Sequence, residues 1–262
     1  MVPLMRTGGA SEGLFNFPQG ALQKPSFATK EQWYLLQNKD APITESAAAV
    51  VAILEARFGV RAMKESPVEA ANRLRCELGR DVCIVCILGG TTFEGSDSEA
   101  LVQVIGSKLG AATDSKAKFV TGGMPGVQET FAKSCGDGSR VWNLLPFSLW
   151  SGYGTGTDLT AGEDLEDRDT ILGLIGDVYI TVEGGPGVSQ EARAACAREA
   201  FVLPLIRTGG ASEGMFNFPP KAVERPQWIK EEQWSLLKNK SAPVGEAAAV
   251  VADIVEMLVL PP

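Results

Sequence analysis

The run VCIVCILGGTT at residues 82–92 has the pattern of a buried β-strand followed by a glycine turn. It is a continuous series of apolar and β-branched residues that ends at two glycines, a pattern typical of a central parallel strand covered on both faces. In open parallel sheets, ligands bind outside the carboxyl ends of such strands. The residues around this run should therefore supply neighbouring strands, covering helices and a binding edge.

Helical and strand patterns alternate around this central run. Ser66 and Glu69 form a capping box with proline at the first helical position, and Ser96 with Glu99 forms a second one. Further helices are predicted near residues 126–135, 167–175 and 192–197. Strands are predicted near residues 81–88, 118–121, 140–145, 177–182 and 201–206. Five strands alternating with helices predict an α/β fold, a Rossmann-like doubly wound parallel sheet.

One segment of the sequence occurs twice. Residues 3–55 align without a gap on residues 204–256, and roughly 31 of the 53 positions are identical. We therefore predict that residues 1–58 are an extra copy of the C-terminal segment. Residues 59–262 then form one complete unit, in which residues 203–258 are the second copy. We interpret the chain as part of, or descended from, a tandem array of such units.

Each copy ends in a helix with the same apolar stripe. The stripe residues are Ala47, Val50, Val51 and Leu54 in the first copy, and Ala248, Val251, Ala252 and Val255 in the second. Residues 59–202 offer one sheet for a tail to complete, so we expect the other tail to pack on a neighbouring chain and to give a homo-oligomer. The second copy should stay in its own unit because its loop closure costs less.

Composition excludes several classes of function. The 262 residues carry 24 Lys and Arg against 32 Asp and Glu, so no excess of positive charge is available for nucleic acid. No secretory signal pattern is present, and no run approaches the ~18 apolar residues that span a bilayer. We expect an intracellular, cytoplasmic protein without a membrane partner. The absence of histidine excludes His-dependent triads and His-ligated metals, and we expect no metal.

Three other features have competing interpretations. Cys83 and Cys86 form a C-x-x-C motif within a strand, where residues three apart face opposite sides, so we expect core thiols rather than a metal site. Trp33 and Trp234 are interpreted as packing anchors rather than stacking platforms. An acidic run is interpreted as a solvated loop rather than a cation site. It consists of Asp158, Glu163, Asp164, Glu166 and Asp167.

Glycine-rich turns follow four of the predicted strands. Glycine lets backbone N–H groups and helix N-termini approach an anion closely, so these turns predict a small anionic ligand at one edge of the sheet. The predicted ligand-binding residues are Gly89, Gly90, Thr91, Gly122, Gly123, Met124, Gly126, Gly184, Gly185, Gly187, Val188, Ser189, Thr208 and Gly209.

Three stretches resemble successive motifs of the LOG-like superfamily. They are VCIVCILGGTT, FVTGGMPGVQETFAKSC and GEDLEDRDTILGLIGDVYITVEGGPGVSQEA. This group includes the cytokinin-activating phosphoribohydrolases and the molybdenum cofactor carrier proteins of green algae. Residues 202–214, VLPLIRTGGASEG, are similar to the terminal strand and turn of the carrier branch. The resemblance implies a Rossmann-like fold and a nucleotide or pterin-type ligand.

The hydrolase members use a P-G-G-x-G-T-x-x-E motif and an upstream Arg-Lys pair on the N-glycosidic bond of a nucleoside monophosphate. By resemblance, Glu191 matches the glutamate and Arg168 the arginine, which makes both candidate catalytic residues. Glu183 replaces the motif's proline, Val188 its threonine, and Asp169 the lysine. Two of these changes add negative charge near the expected phosphate, so whether the protein is an enzyme stays open.

Both candidates have simpler interpretations. Arg168 could be a helix-surface residue paired with Asp164 or Glu166, and Glu191 could merely favour the positive end of its helix. Two functions therefore compete: a nucleotide- or cofactor-binding protein of the carrier-like group with weak phosphoribohydrolase activity, or an assembly module that oligomerises through the duplicated tail. An NAD-dependent dehydrogenase is disfavoured, because G-x-G-x-x-G spacing is missing after the first strand.

Overall fold

A computed structural model describes residues 23–58, 65–112, 116–147 and 149–259. The chain divides into two compact units, Met1–Glu65 and Ser66–Pro262. The boundary between them lies after Glu65, whereas the sequence repeat places it after residue 58. Residues 3–22 of the first repeat copy lie outside the described residues.

The first unit contains two helices, α1 (Lys30–Gln37) and α2 (Ile43–Phe58). The second unit contains the remaining described helices. They are α3 (Pro67–Leu78), α4 (Ser98–Ala112), α5 (Val127–Ser134), α6 (Leu165–Ile175), α7 (Pro186–Ala197), α8 (Glu231–Lys238) and α9 (Val244–Val259). Within the described residues, none of the helices has the length and apolar character needed to cross a bilayer.

The second unit is built on a six-stranded parallel sheet with the order β4-β3-β2-β1-β5-β6. The strands are β1 (Cys83–Gly89), β2 (Ala117–Thr121), β3 (Val141–Leu145), β4 (Thr157–Thr160), β5 (Val178–Val182) and β6 (Phe201–Pro204). Within β1, Val85 pairs with Phe119 on one side and with Val178 on the other, so this strand is central. The predicted doubly wound α/β fold is confirmed.

The fourth strand is missing from the sequence-based prediction. Residues 157–160 read TDLT, and only Leu159 is buried, so neither an apolar run nor an alternating pattern marks this edge strand. The solvated-loop interpretation of the acidic run is partly wrong, because Asp158 lies in β4 and Asp164 caps α6 by accepting the Asp167 N–H at 2.9 Å. Among the described residues, no group of three or more acidic or thiol side chains could hold a metal.

Two apolar layers cover the sheet. Val85 and Ile87 of β1 join the core formed with α4, α5, α8 and α9, whereas Cys86 joins the core formed with α3, α6 and α7. Cys83 packs against the first of these cores, so the two thiols face opposite layers as expected. Burial raises the pKa of the Cys83 thiol to about 11 and also raises that of Cys86. The interpretation of both as core thiols is confirmed.

One of the two predicted capping boxes is present in the structure and the other is not. Ser66 caps α3 in a complete capping box with Glu69, as the sequence predicts. The second predicted box, Ser96 with Glu99, is wrong, because α4 begins at Ser98 and Leu101 N–H bonds to the Asp97 carbonyl at 2.9 Å. The helical hydrogen-bond ladder therefore starts one residue too late for Ser96 to cap it.

The C-terminal segment packs within its own unit. After β6, three short 3-10 helices (Ile206–Thr208, Gly210–Glu213 and Pro220–Val223) lead to α8 and α9. Helix α9 packs on α4, and Trp234 of α8 lies in the same core. The buried Arg207 joins this segment to the start of α4, since it pairs with Asp97 and donates to the Ala242 carbonyl at 2.8 Å.

The first unit repeats the α8–α9 arrangement. Trp33 and Leu36 of α1 are buried in its small core, as Trp234 and Leu237 of α8 are in theirs. Lys24 donates to the Ala28 carbonyl at 2.7 Å, and the residues at the matching positions of the second copy make the same contact. Both tryptophans are packing anchors, as interpreted.

Candidate functional site

Arg168, Asp169 and Glu191 form a buried charged cluster between α6 and α7. The guanidinium Nη1 of Arg168 lies 3.1 Å from Asp169 Oδ1 and 3.6 Å from Glu191 Oε1. Arg168 is only 4% exposed, and its Nε has no hydrogen-bond partner. The interpretation of Arg168 as a helix-surface residue is therefore wrong. Glu191 is equally buried in the second turn of α7, beyond the first turn where helix-dipole effects are strongest.

The ionisation of this cluster is set by burial and by the two adjacent acids. Burial, and after it the adjacent Asp169 carboxylate, raise the pKa of Glu191 to about 8, although the Arg168 charge acts to lower it. Burial also raises the pKa of Asp169. Glu191 is thus mostly protonated at neutral pH, a form that donates a hydrogen bond. The ionised glutamate that the resemblance implies for glycosidic chemistry forms mainly above about pH 8.

The turn after β2 touches this cluster. A side-chain carbon added to Gly122 would lie 2.0 Å from Arg168 Nη1, so the guanidinium rests against the bare backbone. Two N–H groups of the turn are already engaged: Gly123 donates to Thr121 Oγ1 at 3.2 Å and Met124 donates to Gln128 Oε1 at 3.0 Å. On the side of the cluster nearest this turn, the hydrogen-bond donor for a ligand is therefore Arg168 rather than the amides of Gly123 and Met124.

Apart from Gly122, the predicted glycines fall into two groups. In the first group, an added side-chain carbon would lie 2.5 to 2.8 Å from a neighbouring atom, so these glycines allow close packing of loops. The group comprises Gly89, Gly90, Gly123, Gly126 and Gly184. In the second group, the added carbon would meet nothing closer than 3.5 Å, so the backbone borders open space. The group comprises Gly185, Gly187 and Gly209. Gly185 and Gly187 lie at the start of α7, and a carbon added to Gly187 would lie 3.5 Å from Asp169 Oδ2.

Three other predicted ligand-binding residues point to internal partners. Ser189 donates its hydroxyl to the Met215 carbonyl at 3.0 Å, and Val188 is buried in the α6–α7 core. Thr208 donates to the Leu205 carbonyl at 2.7 Å. Thr91 is exposed beside the packed start of α5. The structure therefore brings Arg168, Glu191, Gly122 and Gly187 together, whereas the side chains of Val188, Ser189 and Thr208 are engaged elsewhere in the fold.

Sequence reasoning missed a polar network beside the cluster. Asn143 of β3 accepts the Thr121 hydroxyl at 2.9 Å and donates to Asp158 Oδ1 at 3.0 Å. Asp158 also accepts the N–H and hydroxyl of Ser151. Tyr153 donates to the Met124 carbonyl. This network holds residues 151–158 over the turn after β2. The asparagine within the apolar strand VWNLL was the available signal.

A separate depression of about 700 Å³ lies at the opposite, amino-terminal ends of β2 and β3. Its lining includes Lys118 and Arg140. Both cations already have partners: Lys118 lies over the Trp142 ring at 5.0 Å, and Arg140 donates to the Gly110 carbonyl. We favour the edge with Arg168 because its Nε lacks a partner and because ligands of parallel sheets bind at the carboxyl ends of the strands.

No protein-family model and no curated protein matches the chain. Solved structures do match it. The structural genomics target TM1055 is 24% identical over 50% of this chain and 79% of its own, with a TM-score of 0.44. The molybdenum cofactor carrier protein of Chlamydomonas reinhardtii is 19% identical over 66% of this chain and 98% of its own, with a TM-score of 0.44. DNA processing protein A from Helicobacter pylori, whose single-stranded DNA binding has been described, is 14% identical over 68% and 84%, with a TM-score of 0.42.

Proposed function

We propose that this protein binds a small anionic ligand, a nucleotide or a pterin-type molecule, at the carboxyl edge of its sheet. The observation that carries the proposal is the buried Arg168 guanidinium, whose Nε lacks a partner and which lies against the backbone of Gly122. A buried donor without a partner is costly, and a ligand acceptor would satisfy it. The open backbone at Gly185 and Gly187 gives the ligand room beside it.

The charges of the cluster favour a ligand with little negative charge. Asp169 already lies against Arg168, so a doubly charged phosphate meets repulsion from this carboxylate. We therefore expect weak binding of AMP and tighter binding of a singly charged pterin such as pterin-6-carboxylate. The protonated state of Glu191 also favours a carrier-like binding function over efficient phosphoribohydrolase activity at neutral pH.

Titration calorimetry with AMP and pterin-6-carboxylate tests this proposal. Replacing Arg168 with alanine should weaken binding by ~1.5–3 kcal/mol if the guanidinium holds the anionic group. The Arg168→Lys variant should lose less binding free energy, because lysine keeps the positive charge but lacks the planar guanidinium fork. Circular dichroism of each variant checks that it stays folded. Unchanged affinity in a folded Arg168→Ala variant, or no binding of either ligand to the wild type, would contradict the proposal.

A second candidate function, assembly through the duplicated segment, is favoured by one observation. Val51 and Leu54 of α2 are 53% and 42% exposed, whereas their counterparts Ala252 and Val255 of α9 are 7% and 0% exposed. The α9 residues are covered by α4 of their own unit. Since the two helices occupy equivalent positions of the repeat and keep the apolar stripe, the surface that fits α2 is the α4 face of a second copy of this chain. That face is occupied by α9, so assembly requires exchange between chains.

This candidate predicts that the full chain forms dimers or larger oligomers and that the Val51→Glu, Leu54→Glu double variant is a monomer. Two buried carboxylates without partners would oppose packing of the stripe. Tyr34→Ser is the matched control: Tyr34 is exposed on α1, and its counterpart in α8 is the exposed Ser235. Light scattering coupled to size-exclusion chromatography measures the mass of each. A monomeric wild type, or a double variant that still oligomerises, would rule out this mode of assembly.

A further inference from the structure

The sheet order places a topological switch point between β1 and β5. From β1 the chain runs outward through β2, β3 and β4, and then returns to the other side of β1 for β5 and β6. Ligands of open parallel sheets bind in the crevice outside the carboxyl ends of the strands at such a point. Glu183 directly follows β5 and therefore stands at the mouth of this crevice.

Glu183 is buried and held in an unusual backbone conformation. It is 2% exposed, and its φ of +53° lies in the left-handed region that non-glycine residues seldom adopt. Its N–H donates to Thr208 Oγ1 at 2.8 Å, and its carbonyl accepts the hydroxyl of Ser212 at 3.0 Å. The loop after β6 thus fixes the backbone and directs the side chain toward the loop after β1.

Two backbone amides of the β1 loop receive the carboxylate. Glu94 N–H donates to Glu183 Oε2 at 3.0 Å, and Gly95 N–H donates to Oε1 at 2.8 Å. Successive N–H groups that converge on a negative group in this way form an anion-binding concavity. The carboxylate therefore occupies an anion position rather than a place in an ion pair.

A third donor borders the same position. Ser98 is fully buried, and its hydroxyl has no hydrogen-bond partner. Its Oγ lies 2.5 Å from the point where a side chain on Gly95 would begin, and Glu183 Oε1 lies 3.1 Å from that point. A carboxylate has two oxygens and meets the two amides. A tetrahedral oxyanion has further oxygens for the hydroxyl.

We propose that the amides of Glu94 and Gly95 and the hydroxyl of Ser98 form a binding site for a tetrahedral oxyanion such as phosphate, which this chain fills with the Glu183 carboxylate. Glu183 is thereby a specificity-determining residue, because it closes the switch-point crevice to phosphate groups. This site includes none of the side chains of the Arg168 cluster, and its binding of phosphate is independent of the proposed ligand.

The test uses inorganic phosphate and the Glu183→Gly variant. Glycine adopts the left-handed backbone without strain and leaves the two amides without an acceptor. Phosphate should bind this variant about tenfold or more tightly than the wild type, and should raise its unfolding temperature relative to chloride at equal ionic strength. Glu183→Gln keeps most of the side-chain volume and should gain no phosphate binding. Ser98→Ala in the Glu183→Gly background should weaken the gained binding.

Thermal unfolding and titration calorimetry measure the effect of phosphate on stability and its affinity, without any nucleotide. If Glu183→Gly folds only in phosphate and not in chloride, the proposal is supported equally. Equal stabilisation of wild type and variant by phosphate would indicate a general salt effect and overturn it. So would a folded variant that does not respond to phosphate. If the glycine variant does not fold in either salt, the Glu183→Asn variant, whose side chain is shorter than that of glutamate, takes its place. Its stability in phosphate and in chloride is then compared with that of the wild type in the same way.

Discussion

Replacing Glu191 with glutamine should stabilise the folded chain by roughly 2–5 kcal/mol at about pH 9 and by much less at about pH 5. The pKa of Glu191 is raised by burial to about 8, so the native state keeps a proton that the unfolded chain releases. The resulting cost is absent below the unfolded pKa of 4.5, grows as pH rises toward 8 and is complete above it. Glutamine keeps the shape and the donor but has no charge to bury.

Urea unfolding at several pH values measures this difference. The exposed Glu166 provides the control, because Glu166→Gln removes a carboxylate from α6, the helix of Arg168, without removing a buried one. The same Glu191→Gln variant should abolish any N-glycosidase turnover while leaving ligand binding nearly intact. A stability gain for Glu191→Gln that does not change between pH 5 and pH 9 would mean that Glu191 ionises normally in the folded chain.

Replacing Gly122 with alanine should destabilise the second unit by ~1–3 kcal/mol and weaken ligand binding as well. The added carbon would lie 2.0 Å from Arg168 Nη1 and 3.0 Å from its Cζ, so the guanidinium must leave its position. Asp169 and Glu191 would then lose their cationic neighbour. Moving the guanidinium by even a small distance also removes the donor that the proposed ligand needs.

Gly185→Ala is the matched control for this substitution. An added carbon there meets no atom within 4 Å, and its φ of −111° is open to any residue. We expect its stability to stay within ~1 kcal/mol of wild type, since a small loss at the helix cap offsets the gain from a less flexible unfolded chain. Thermal unfolding measures the stability of both variants. Equal losses of stability would show that Arg168 does not rest against Gly122.

The sheet was predictable because its central strands are largely apolar. The run that became β1 is buried on both faces, and five of the six strands carry such runs. The edge strand β4 was missed because an edge strand with one buried residue, Leu159, has no periodic pattern to detect. Local sequence therefore predicts strands that are covered on both faces much better than strands that are covered on one face.

The candidate site was predictable in kind but not in detail. Motif order identified Arg168 and Glu191, which the fold brings within 3.6 Å of each other. Sequence alone could not distinguish glycines that border open space, such as Gly187, from those that let loops pack closely, such as Gly126. The sequence shows the added negative charge of Glu183, but the contact of its carboxylate with the amides of the β1 loop depends on residues almost ninety positions away.

A crystal structure of the protein with bound pterin-6-carboxylate tests whether the ligand binds at the Arg168 cluster. We expect an acceptor group of the ligand to lie at hydrogen-bonding distance, ~2.7–3.2 Å, from the guanidinium of Arg168 and beside the open backbone of Gly185 and Gly187. Ligand density at the depression lined by Lys118 and Arg140, with the Arg168 cluster unchanged, would contradict it.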